Sequence, residues 1–259
     1  MTAPTLLTAR EVSVRLGGKT IVDNVSMTLS PNEFVALVGP NGAGKTTLMK
    51  ALAALLPALG DIEVGGRPLP ALSPRERARS IAYLPQGHVF SWPLPASEIV
   101  ALGRYPHADP FSSVSENDQA AVRRALDVTG TTPFANRIVT TLSGGERARV
   151  ALARVLATEA PIVLADEPTM SLDPRHQFVV MDVLRHCARA GGAVLAVLHD
   201  LALAARYADR VIVLDSGRIV ADGAPDSALS PERIATIFGV QADMVHVGDV
   251  MLPIVRRPL

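Results

Sequence analysis

Short apolar runs alternate with longer amphipathic stretches along this chain, and the runs stop abruptly at glycine, proline, an acidic residue or histidine. Phe34 to Val38, Ile81 to Leu84, Ile162 to Ala165 and Ala193 to Leu198 are each too short for a core helix and too apolar for a surface loop. They predict buried strands. Arg10 to Val14 and Val25 to Leu29 predict earlier strands, and Ile62 to Val64 adds another. Helical patterns fill the intervals. One is predicted to begin near Lys45 and to run through Leu56. Ser73-Pro74-Arg75-Glu76 is a capping box with proline at the first helical position. The stretch from Gly87 to Thr141 reads as helical, with Ser115 and Asp118 at a start and Gly130 at a stop. Pro174 to Ala190 predicts a helix closed by Gly191 and Gly192, and Ser230-Pro231-Glu232 opens another. Val211 to Asp215 and Arg218 to Asp222 flank Ser216-Gly217, a hairpin signal. The tail from Asp243 predicts a terminal strand or hairpin. There is no internal repeat and no low-complexity segment.

The junction after the Phe34 to Val38 run carries the first chemistry. Gly39, Pro40, Asn41, Gly42, Ala43, Gly44, Lys45, Thr46 and Thr47 fit the phosphate-binding pattern G-x-x-x-x-G-K-[ST]. The glycines allow a tight turn that brings backbone N–H groups close to phosphate oxygens. The following helix adds unpaired N–H groups and a partial positive charge at its start. Lys45 is placed to reach the β- and γ-phosphates, and the Thr46 hydroxyl to ligate Mg²⁺. A second candidate lies at the end of the Ile162 run, where Asp166 and Glu167 sit at the edge at which open α/β sheets bind ligands. Asp166 suits Mg²⁺, usually through water, because a hard cation prefers oxygen donors. Glu167 is placed to orient or deprotonate an attacking water.

With these motifs, Leu142, Ser143, Gly144, Gly145 and Glu146 (LSGGE) bring a family resemblance. From about Leu7 to Val240 the chain resembles the nucleotide-binding subunit of an ATP-binding cassette (ABC) transporter. The resemblance implies an α/β fold: a P-loop NTPase (RecA-like) core with an antiparallel β subdomain and an inserted α-helical subdomain. It divides a single nucleotide-binding domain, residues 1–259, into a core at about 6–86 and 142–240, a helical part at about 87–141 and a tail at 241–259. Gln86 matches a loop glutamine that senses Mg²⁺ and the γ-phosphate, so the implied Mg²⁺ set is Thr46, Gln86 and Asp166. Ser171, Leu172 and Asp173 match a loop that crosses a dimer interface. His199 matches a histidine that contacts the γ-phosphate. Lys45, Gln86, Glu167 and His199 are thus the implied catalytic set. Two chains would pair head to tail, with each ATP between the phosphate loop of one and the signature of the other.

SEIVALGRYPH and HDLALAARYADRVIVLDSGRIVADGAP narrow the likeness to the ATPases of importers for iron–siderophore complexes, haem and vitamin B12. That implies ATP hydrolysis driving solute uptake through separate transmembrane permease subunits, indirectly served by a solute-binding protein. The chain would sit peripherally on the cytoplasmic face of the inner (plasma) membrane. The competing readings are an exporter ATPase, a non-transport ABC ATPase and a non-hydrolysing ATP-gated module. One cassette rather than two argues against the translation ATPases. The short interval from Gln86 to Ser143, without sustained heptads, argues against the chromosome and repair ATPases.

The sequence departs from the family pattern in two places. No aromatic residue precedes Phe34, and Leu16 stands where an aromatic side chain usually stacks on adenine. Adenine is therefore expected to rest on Leu16 with Val22. Ala148 stands where glutamine is more frequent. Trp92, the one tryptophan, lies after Gln86 among prolines and apolar residues. It belongs either inside the helical part beside Phe90 or at a partner surface.

Composition narrows the partners. Lys and Arg total 25 and so do Asp and Glu, so charge does not point to nucleic acid. Apolar residues make up 48%, enough for a large core. Cys187 is the one cysteine, which excludes an internal disulfide and fits a reducing compartment. His88, His107, His176, His186 and His246 show no ligand spacing with Cys187, so no structural metal site is expected. No signal peptide is visible at the N-terminus, and no uncharged apolar stretch is long enough for a membrane-spanning helix.

Overall fold

The computed structural model describes residues 5–87, 90–108 and 115–259. The first half of the chain runs β1 (Leu7–Leu16), β2 (Lys19–Leu29), β3 (Glu33–Val38), α1 (Lys45–Leu52), β4 (Leu59–Val64), β5 (Arg67–Pro68), α2 (Pro74–Ser80), β6 (Ile81–Leu84), α3 (Ala96–Ala101) and α4 (Glu116–Val128). The second half runs α5 (Gly144–Leu156), β7 (Ile162–Asp166), α6 (Pro174–Arg189), β8 (Ala193–Val197), α7 (Leu201–Tyr207), β9 (Arg210–Asp215), β10 (Arg218–Gly223), α8 (Pro225–Ala228), α9 (Pro231–Phe238), β11 (Val240–Val247) and β12 (Val250–Pro258).

The apolar runs build a six-stranded sheet in the order β10-β9-β3-β8-β7-β6. β3 pairs in parallel with β8 and β9, and β7 pairs in parallel with β6 and β8. β10 closes one edge as the antiparallel arm of the β9 hairpin. Both faces of this sheet are covered, which is why its central strands read as continuous apolar runs. On one face Phe34, Ala36 and Val38 pack with Leu152 of α5, Met181 and Leu184 of α6 and Ala204 of α7. On the other, Val35 and Leu37 pack with Leu48, Met49 and Leu52 of α1 and with a four-stranded antiparallel sheet ordered β2-β1-β4-β5.

The helix α5 ties the remaining part to this core. Its Ala151, Leu152 and Val155 belong to the sheet cluster. Its Val150 and Ala153 belong to a separate cluster with Ile99 and Val100 of α3 and Ala125 and Leu126 of α4. The C-terminal segment forms a β11–β12 hairpin that begins at Val240, a few residues before the predicted start. Its Ala242 and Leu252 are buried in the main cluster.

Three local differences from the sequence reading have physical causes. α1 stops at Leu52 rather than Leu56. Ala54 adopts φ +56°, and the N–H groups of Leu55 and Ala54 donate to the carbonyls of Lys50 and Ala51. This is a Schellman ending whose left-handed position holds alanine in place of the usual glycine. β1 and β2 extend well beyond Arg10–Val14 and Val25–Leu29, and register shifts along the pair break the alternation that marks a strand's full length in sequence. Glu11 and Asn24 take φ of +52° and +53° there, and their N–H groups donate to Ser26 Oγ and Ser13 Oγ, each at 2.9 Å. Gly87 to Thr141 holds only two α-helices among the described residues, joined by turns and short 3₁₀ segments. His88 lies outside the described residues.

Candidate nucleotide site and signature segment

The loop between β3 and α1 is shaped by its neighbours. Gly39 has φ +154°, and a Cβ there would lie 2.0 Å from the Leu214 carbonyl oxygen of β9. Gly44, at φ +100°, would place a Cβ 2.7 Å from the Ile21 carbonyl oxygen. The loop therefore lies directly against two strands, and only glycine fits at those contacts. Lys45 folds back under the loop, donating from Nζ to the carbonyls of Gly39 and Pro40 at 2.8 and 2.9 Å. It is 6% exposed. Burial lowers its pKa, opposed by the charges of Glu167 and Asp166. Asn41 and Gly42 are exposed, Ala43 is buried and Thr47 is partly buried in the first turn of α1. No side chain caps that turn, so its N–H groups remain available to an anion.

Asp166, at the end of β7, is fully buried. Thr46 Oγ1 donates to Asp166 Oδ1 and the Tyr83 hydroxyl donates to Oδ2, both at 3.1 Å. Burial pushes the Asp166 carboxyl up, against these two hydrogen bonds that pull it down. Burial also raises the Tyr83 phenol, and Asp166 adds to the effect. Sequence reasoning missed Tyr83. The available signal was a lone phenol at a strand end three residues before Gln86. The Thr46 hydroxyl and the Asp166 carboxylate form an oxygen set suited to a hard divalent cation.

Glu167 follows in a left-handed conformation, φ +51°, which is costly for a non-glycine residue. This turn aims its carboxylate between two neighbouring strand ends. His199 Nε2 lies 2.6 Å from Glu167 Oε1, and Gln86 Nε2 donates to Oε2 at 2.9 Å. Gln86 Nε2 also lies 3.3 Å from Met170 Sδ. Three of the side chains singled out by sequence, Gln86, Glu167 and His199, are thus in direct contact. Among the described residues no hydrogen bond joins Gln86 to Thr46 or Asp166.

The expected adenine surface needs correction. Leu16 is 40% exposed at the end of β1, but Val22 is fully buried. A Cβ at Gly44 would touch Val22 Cγ2 at 3.5 Å, so Val22 packs beneath the phosphate loop and offers no surface to a base.

The signature lies apart from these groups. Leu142 is buried, and Ser143 begins α5. The Glu146 N–H donates to Ser143 Oγ at 3.3 Å, and the Ser143 N–H donates to Glu146 Oε2 at 2.8 Å. The Ser143 backbone N–H holds the Glu146 carboxyl below its usual range, helped by the Ser143 hydroxyl and Arg137. Gly144 is exposed, with no atom within 4 Å of a Cβ position. Gly145 packs against His176. Among the described residues no hydrogen bond or ion pair joins Leu142–Glu146 to the Gly39–Thr47 loop. In the neighbouring loop, Ser171 is exposed with φ +60°, and Leu172 packs on the core. Asp173 caps α6 through the His176 N–H at 2.9 Å. Trp92 is 68% exposed while Phe90 is partly buried against the core, so the two aromatic residues divide between surface and interior.

A parallel sheet with a glycine-rich loop over a buried lysine at its C-terminal edge defines a P-loop nucleoside triphosphatase. The ABC transporter family model matches residues 22–170. The chain is 49% identical over 234 residues to the hemin import ATP-binding protein HmuV of Streptomyces coelicolor, covering 90% of this chain and 83% of that one. It is 44% identical to the cobalamin import ATP-binding protein BtuD of Halobacterium salinarum, over 88% of this chain and 57% of that one. It superposes on a dimeric ATP-binding cassette in a post-hydrolysis state bound to ADP and Pi, with TM-score 0.74, 27% identity and coverage of 85% and 98% of the two chains. The chain belongs to the ABC transporter family, and within it is an ATPase.

Proposed function

We propose that this chain is the ATP-hydrolysing subunit of an importer for haem or a related iron–siderophore or corrinoid-type solute, and that ATP drives two copies together head to tail. The observation that carries the dimer reading is the separation of two phosphate-binding surfaces on one chain. The Gly39–Thr47 loop lies beside Asp166, Glu167 and His199. Ser143 and Gly144 open α5 elsewhere, exposed and unconnected to that loop. A second copy supplies what each site lacks, as the dimeric relative's description supports. Signature N–H groups and the Ser143 hydroxyl then meet the phosphates in trans, and Ser171, Leu172 and Asp173 line the joint. In this reading the chain works as one unit, with a core at about 6–86 and 142–240, a helical part at about 87–141 and a tail at 241–259.

Phosphoryl transfer to water needs positioning and charge stabilisation more than covalent chemistry. Lys45 reaches the β- and γ-phosphates once its carbonyl partners are exchanged for phosphate oxygens. Mg²⁺ would be held by Thr46 and Gln86 and, through water, by Asp166, and it supplies neutralisation of charge on the phosphates. Glu167 accepts the proton of the attacking water, which takes the place of one of its two present partners. His199 donates to a γ-phosphate oxygen.

Leu16 carries no group that reads a base by hydrogen bonding. ATP and GTP are therefore expected to bind within about fivefold of each other. A titration with both nucleotides checks this, and a clear preference for ATP contradicts it.

No helix among the described residues is long and apolar enough to cross a membrane. In this reading the route for solute is formed by separate permease subunits, with a solute-binding protein acting through them. The chain sits peripherally at their cytoplasmic side. Exposed Trp92, close in sequence to Gln86, is a contact to that partner. Trp92→Ala is expected to cut uptake by about tenfold in reconstituted vesicles while ATPase activity of the isolated chain persists. Unchanged uptake contradicts that role. Extraction of a tagged Glu167→Gln chain with ATP in mild detergent tests the permease reading. Recovery of a multi-span membrane protein supports it, and recovery of soluble partners alone overturns it.

A further inference from the structure

Gly145 has no positive φ, so its backbone does not require glycine. Its surroundings do. A Cβ there would lie 2.9 Å from His176 Cγ, 3.0 Å from Nδ1 and 3.1 Å from Cδ2. The imidazole ring of α6 thus occupies the space above the Gly145 Cα. The same ring is fixed from below. His176 Nδ1 lies 2.8 Å from Asp173 Oδ2, and Asp173 Oδ1 accepts the His176 backbone N–H at 2.9 Å. A carboxylate only accepts, so Nδ1 carries the proton and both Asp173 oxygens are engaged. These two hydrogen bonds hold the Asp173 carboxyl below its usual range. Gly144, one residue earlier, has open space at the same position, so the steric demand is specific to Gly145.

We propose that His176 is a positioning residue that sets the spacing between Gly145 of the signature and Asp173 of the neighbouring loop, so that both meet a partner's nucleotide as one rigid surface. The inference rests on the head-to-tail reading above. A helix cap alone needs only the Asp173 carboxylate and the residue-176 backbone N–H, and it places no ring on Gly145. A strut needs both the ring face and the Nδ1 donor, and the geometry supplies both.

The test uses the full chain in the Glu167→Gln background, with His176 intact, His176→Ala or His176→Asn, each with and without Gly145→Ala. ATP affinity is read by titration at chain concentrations below dimerisation. ATP-driven association is read by sedimentation velocity, and folding by thermal unfolding of the same samples. His176→Ala is expected to leave ATP affinity within about twofold and to weaken association about tenfold. His176→Asn keeps an amide donor for Asp173 and is expected to lose only about two- to fivefold. Gly145→Ala is expected to cost about tenfold in the His176 chain but less than about threefold further once the ring is gone. Parent-like association in His176→Ala overturns the proposal, as does an equal Gly145→Ala penalty in both backgrounds. If the alanine chain does not fold, His176→Asn decides, and parent-like association in it overturns the proposal. A parent chain that binds ATP yet never associates overturns the head-to-tail reading itself. Association in the parent that is indifferent to residue 176 overturns the strut alone.

Discussion

Glu167→Gln is expected to lower steady-state ATP turnover by about 10²–10⁴-fold, the usual worth of a general base, with ATP still bound. The substitution preserves shape and volume, so the turn at φ +51° and the packing around it persist. It removes the proton acceptor. Glu167 Oε2 now accepts from Gln86 at 2.9 Å, and His199 Nε2 lies 2.6 Å from Oε1. A glutamine accepts on one oxygen only and presents an N–H group to the other partner. In the proposed mechanism His199 holds a phosphate oxygen and Gln86 is an amide, which leaves the Glu167 carboxylate as the proton acceptor of this cluster. A phosphate-release assay on the purified chain checks this, and wild-type turnover in the variant removes Glu167 from the role of base.

Gly39→Ala is expected to destabilise the chain by about 3 kcal/mol and to abolish measurable nucleotide binding. A new Cβ would overlap the Leu214 carbonyl oxygen at 2.0 Å and crowd its carbon at 3.1 Å. Neither neighbour is a flexible side-chain tip that could swing away. β9 is held to β3 by the Val38–Val213 register, and the loop is tied down by Lys45 on the Gly39 carbonyl. Relief requires either the strands to part or the loop to lift, and lifting the loop carries the Lys45 anchor and the first N–H groups of α1 with it. Thermal unfolding and a nucleotide titration on the same variant read both consequences. A wild-type midpoint with wild-type affinity contradicts the close contact between loop and strand.

What could be read from the sequence was local chemistry. The strand–glycine loop–lysine junction, the Ser73/Glu76 box, the Ser115 cap and the Ser216-Gly217 hairpin are each specified within a few residues, and each forms as read. Features that depend on a second segment were hidden. The order β9-β3-β8 places strands far apart in sequence side by side, and no residue in Phe34–Val38 announces its neighbours. Val22 looked available to a base because its burial under Gly44 is a property of the folded loop. Tyr83 meets Asp166 across β6 and β7, and His176 meets Gly145 across α6 and α5. The end of α1 misled for a different reason, since its left-handed residue is Ala54 and carries no glycine signal. For the site, the phosphate-loop residues and the strand-end Asp166, Glu167 and His199 were legible one by one. Their mutual contacts were not.

In the head-to-tail reading, ATP joins two copies of this chain across separated halves of a site. The most direct measurement is the solution mass of the Glu167→Gln chain by light scattering, with ATP and Mg²⁺, with ADP and Mg²⁺, and without nucleotide. Twice the monomer mass is expected with ATP, and monomer mass in the other two conditions. A chain that binds ATP and keeps the monomer mass in all three contradicts that reading.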